Sequence, residues 1–90
     1  MGNRNINVME KLLKISSKIE NLRKVEKLVD DLSTEYNISA DVYGNILIAA
    51  LEAANNAILH GNKLDESKNV AITFKIEKDG IVFGSILLPE

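Results

Sequence analysis

Glu52 and Asn56 are the residues of this 90-residue chain whose types and spacing could do chemistry. They stand four apart within ILIAALEAANNAILHGNKLD, Ile46 to Asp65. On a helix that spacing puts both on one face, a turn apart, with Asn45 about two turns before Glu52. A carboxylate and a carboxamide so placed could do acid–base work and help hold a hard cation through oxygen ligands. A carboxylate on a largely apolar helix is costly unless it is hydrogen-bonded, paired or kept near water. On spacing alone, the plainer reading is the stronger: a helix-stabilising pair on an exposed stripe, in a chain with ten asparagines. His60 is the single histidine, near a helix C-terminus, where the dipole favours its charged form. With no cysteine and no second histidine, the spacing gives no zinc pattern.

The elements that must position these residues follow from periodicity. The helix carrying them is Ala-rich and apolar on nearly every side, so it is expected to be the central buried element. Ser39 is its expected N-cap and Asp41 lies in its first turn; Gly61 and Asn62 should stop it after about His60. An earlier helix is expected to start at a Ser17–Glu20 capping box and end at Asn37. Leu22, Val25, Val29, Leu32 and Tyr36 form its apolar face, and its charges a solvated one.

Val8 to Ser16 reads as a short strand after a polar lead-in, Met1 to Asn7. Lys63 to Lys68 is a polar loop. Beyond it Val70, Ile72, Phe74 and Ile76 alternate with Ala71, Thr73, Lys75 and Glu77, a half-buried strand. Asp79-Gly80 signals a hairpin turn, and Ile81 to Leu88 a returning strand closed by Pro89. The order is strand, helix, helix, strand, strand. That predicts one α+β domain over residues 1–90, a two-layer sandwich with both helices on one face of a small sheet.

Composition bounds the function. Eleven Lys/Arg against thirteen Asp/Glu leave a net charge of −2, which gives no electrostatic case for nucleic acid or an anionic membrane as partner. No apolar run is expected to reach the length of a membrane span, and MGNRNINV lacks a signal-peptide apolar region. The expected location is the cytoplasm.

Taken as a string, E-A-A-N-N-A-I-L-H-G-N resembles the N-box of the Bergerat-fold (GHKL, histidine-kinase-like) ATPases, with its Glu-x-x-x-Asn-Ala-x-x-His-Gly pattern. The upstream text is most similar to the anti-sigma factor serine kinase branch, and the resemblance spans roughly Leu12 to Phe83. It implies ATP and magnesium as cofactors, Glu52 as the general base, and Asn56 as the ligand of the magnesium that bridges the nucleotide phosphates. Asn55, His60 and Gly61 match the motif and would line or shape the nucleotide site. It further implies a sigma-factor-like or antagonist-like protein partner and a homo-oligomer.

The chain departs from the family after Phe83. The family carries an Asp-x-Gly-x-Gly loop there, whose Asp reads the adenine amino group, followed by a lid and a second Gly-rich segment. Here the text is Gly84-Ser85-Ile86-Leu87-Leu88-Pro89-Glu90. The expectation is therefore the N-terminal part of a truncated histidine-kinase-like ATPase fold, an incomplete and inactive form of an ATP-dependent protein serine kinase. The alternative is a non-enzymatic, dimerising interaction module on the same framework.

Overall fold

Val70, Ile72, Phe74 and Ile76 fall on alternate positions of one strand and all four are buried, as a period of two dictates for a face packed on the core. That strand, β2 (Asn69–Glu77), is the centre of a three-stranded antiparallel sheet. It pairs with β1 (Met9–Ser16) on one side and β3 (Gly80–Leu88) on the other. The computed structural model describes the backbone of residues 9–77 and 80–88 and the side chains of residues 10–76. Val8, at the expected start of β1, and Asp79, in the expected turn, lie outside the described residues. Gly80 opens β3 opposite Glu77.

Register sets which β1 residues reach the core. Ile15 lies opposite Val70 and Leu13 opposite Ile72. Ile15 is buried and Leu13 packs against the core, while Leu12 on the other face is 69 % exposed. Ala71, also on that outer face, is nonetheless buried. Alternation alone does not predict this; a small side chain on the central strand is shielded by its neighbours.

Between β1 and β2 come a 3-10 turn (Ile19–Asn21), α1 (Leu22–Glu35), α2 (Ala40–Asn56) and a π-helical turn (Ala57–Gly61). The strand–helix–helix–strand–strand order is the one expected from the sequence, an α+β arrangement. Val25, Val29 and Leu32 of α1 are buried, with Leu22, Leu28 and Tyr36 against the same core, so its expected face is the packed one. The helix closes in a Schellman motif. Asn37 is left-handed (φ 53°), Ile38 N–H donates to Ser33 O at 2.9 Å, and Asn37 N–H to Thr34 O at 3.4 Å.

Three expectations need correction. There is no Ser17–Glu20 capping box: Lys18 and Asn21 flank the helical starts without a side-chain cap. Ser17 is fully buried with its hydroxyl committed elsewhere, and Glu20 instead faces Lys18 at 3.6 Å. Nor is α2 buried all round. Ile46, Ala50 and Ala54 face the core, but Val42, Asn45, Ile48, Glu52 and Asn56 are exposed. Finally, Ala40–Gly61 is by length and apolar content a 22-residue helix that could cross a membrane. In the fold Ile46, Ala50, Ala54 and Ile58 of this stretch face the core, while Val42 and Ile48 stay exposed.

Candidate functional site

Ala50, Ala54 and Ile58 recur every four residues and are buried, and this phase decides where the polar residues go. Glu52 and Asn56 are each displaced two positions from them, about 200° around the helix. They therefore face solvent, in line with Asn45 before them and His60 after them. Ser39 sets the start of this helix by accepting the Val42 N–H at 3.3 Å, as expected, with Asp41 in the first turn.

Among the described residues, neither the Glu52 carboxylate nor the Asn56 carboxamide is engaged by another side chain or by backbone, so both are available to a ligand. Asn55, a further 100° or so around the helix, is half-buried. His60 and Gly61 are exposed within the π turn. The structure thus brings Glu52, Asn56 and His60 to one stripe and sets Asn55 to its side.

The stripe supplies oxygen donors suited to a hard cation. No three His, Asp or Glu side chains cluster as metal ligands among the described residues. A magnesium ion here would take only one or two protein oxygens and the rest of its ligands from phosphates and water, its ordinary habit at nucleotide sites. The residues present fit that mode.

Below the stripe lies a polar cluster that the sequence does not announce. The Asn62 side chain is buried and spends both N–H bonds, one on Ser17 Oγ at 2.9 Å and one on Asn69 O at 3.1 Å. The Ser17 hydroxyl donates to Lys68 O at 2.8 Å, and the Ser17 N–H to the same oxygen at 3.1 Å. Asn21 adds bonds to Ser16 O and Ser16 Oγ, both at 2.9 Å. The end of β1, the end of α2 and the start of β2 are thereby fastened at one point. Gly61 and Asn62 end the helix as expected, Gly61 as the last residue of the π turn and Asn62 as its cap.

Two further contacts hold the frame. Tyr43 Oη donates to Asp30 Oδ1, joining α2 to α1; this bond, then burial and the charge of Asp30 and Glu26, raises the tyrosine pKa. In the loop before β2, Asp65 accepts from the Ser67 hydroxyl at 2.6 Å and the Ser67 N–H at 3.0 Å, which holds its carboxyl below the usual range.

The family model of the histidine kinase-like ATPase domain matches residues 15–86. The chain belongs to that family. The match runs from Ile15, near the end of β1, to Ile86 in β3, and includes both helices and every residue from Glu52 to Gly61. α2, with its exposed stripe, lies wholly within the matched residues of this ATPase-like domain. No curated protein matches the chain.

Proposed function

We propose that the exposed stripe of α2 is the phosphate side of a magnesium–ATP site in a cytoplasmic regulator of the anti-sigma factor serine kinase type. The observation that carries this reading is the joint exposure of Glu52 and Asn56, one turn apart and unbonded among the described residues, in a chain of the histidine kinase-like ATPase family. Asn56 is assigned as the protein ligand of the cation, through its side-chain oxygen. Glu52 is assigned as the base that takes the proton of an attacking hydroxyl. Asn55, His60 and Gly61 shape the rim. When bound, the cation neutralises charge on the phosphates, the larger part of what phosphoryl transfer asks of a site. Adenine recognition is not assigned to these residues. The reading therefore concerns nucleotide binding, with a sigma-factor-like or antagonist-like protein as partner.

Calorimetric titration of ATP, with and without magnesium, tests it. The wild-type chain should bind more tightly with the metal. Asn56→Ala should lose that enhancement, and Glu52→Gln should keep it. Absence of binding in the wild type, or an Asn56→Ala chain with the full enhancement, contradicts the reading.

A second reading, a self-associating interaction module, draws on the position of β3. Within the described sheet it pairs only with β2, so its other edge offers a row of backbone donors and acceptors to a second copy. Light scattering in the micromolar range, with no nucleotide present, should then show a dimer. A monomer at all concentrations rejects this reading and leaves the nucleotide one untouched.

A further inference from the structure

The two long helices of this chain end in different ways, and the contrast bears on the site. α1 stops with one left-handed residue, Asn37, a type that tolerates that conformation. α2 runs instead into a π turn in which Asn62 N–H donates to Ala57 O, five residues back, at 2.8 Å. Two left-handed residues follow at once, Lys63 (φ 53°) and Leu64 (φ 63°), neither of which favours that region. Leu64 N–H reaches back to Ile58 O at 2.8 Å. Such conformations persist only where the surroundings over-determine them, and they concentrate at functional sites, as π turns inside helices do.

Here the over-determining group is Asn62. Its carboxamide is buried, both of its N–H bonds are used, and its partners belong to segments 45 and 7 residues away in sequence. It stands directly after His60–Gly61 and six residues after Asn56. α1 also closes with a bond five residues back, Ile38 N–H to Ser33 O, but its left-handed Asn37 is exposed, whereas Asn62 is anchored in the interior by its side chain.

We infer that Asn62 is a positioning residue of the nucleotide site. Bonded to Ser17 and Asn69, it holds the π turn Ala57–Gly61 at a fixed pitch and so fixes how Asn56 and His60 are presented to a magnesium-bound phosphate. Ser17 is its support. The inference rests on the nucleotide reading of Glu52 and Asn56. Groups that orient a metal ligand act on the metal-dependent part of affinity more than on the rest.

The test measures ADP affinity in excess magnesium and again in EDTA, and reads the ratio of the two. Asn62→Ala should lower that ratio by about 10–100-fold while leaving affinity in EDTA little changed. Ser17→Ala, which leaves Asn62 its bond to Asn69, should lower it less. Leu32→Val, a core truncation in α1, should leave the ratio at its wild-type value. An Asn62→Ala chain that folds and keeps the wild-type ratio overturns the inference, as does Leu32→Val lowering the ratio equally. Should Asn62→Ala fail to fold, Ser17→Ala decides: an unchanged ratio overturns the inference and a lowered one upholds it. A wild-type chain that binds no ADP in either condition instead removes the nucleotide reading, and this inference with it.

Discussion

The side-chain amide of Asn62 donates to the hydroxyl of Ser17 at 2.9 Å, both groups lying inside the protein and 45 residues apart in sequence. This bond closes the junction of β1, α2 and β2. Ser17→Ala leaves one Asn62 N–H buried without a partner, and Asn62→Ala takes one donor from Asn69 O and one from the Ser17 hydroxyl, which keeps its own bond to Lys68 O. Each should cost about 1–3 kcal/mol, the usual penalty for a buried group left unsatisfied. Urea midpoints measure this, and wild-type midpoints for both variants would show that water replaces the bond at no cost.

Ala54 is fully buried on the inner face of α2, one turn after the equally buried Ala50. Small side chains there let the helix lie close to the core. Ala54→Leu should overpack it and lose about 1–3 kcal/mol by the same denaturation assay.

Lys63 is left-handed with an exposed side chain. Glycine adopts that conformation without steric cost, though it loses more backbone entropy on folding. The strain of roughly 1–2 kcal/mol exceeds the entropic loss of roughly 0.5–1 kcal/mol, so Lys63→Gly should raise the thermal midpoint slightly. A lowered midpoint would mean that the lysine side chain contributes more than its backbone costs.

Much of this architecture is legible in the sequence because it is periodic. The alternation of Val70 to Ile76 fixes the inner face of β2, and the spacing of Val25, Val29 and Leu32 fixes that of α1. Ser39 reads as a cap and is one. The polar cluster is not legible, because its members meet only in the folded chain. Ser17 with Glu20 makes the pattern of a capping box, yet the serine is drawn into the interior by Lys68 O and Asn62. The phase of α2 was likewise hidden by its composition. Apolar residues on nearly every side conceal which face is covered until Ala50, Ala54 and Ile58 are seen to be buried. Glu52 and Asn56 stand out as a motif, whereas the π turn beyond them leaves no mark in the residue types.

The Tyr43–Asp30 bond carries a pH dependence of known sign. The tyrosine pKa is raised in the folded state, first by that hydrogen bond. Its contribution to stability is complete below the unfolded value of about 10 and is lost as pH rises through the higher folded value. Tyr43→Phe should therefore flatten the alkaline limb of the stability profile above about pH 10 and leave its shape at neutral pH unchanged. An alkaline limb identical to wild type would show that other groups produce it.

The central claim is that the exposed stripe of α2 receives magnesium-bound nucleotide phosphates. Titrating the ¹⁵N-labelled chain with ADP and magnesium, and following its amide resonances, tests it most directly. The account predicts saturable shifts at the Asn56 side-chain amide and at the backbone of Glu52 to Gly61, with the Asn56 shift absent when magnesium is withheld. A titration that leaves these resonances still, or moves only those on other elements, would contradict it.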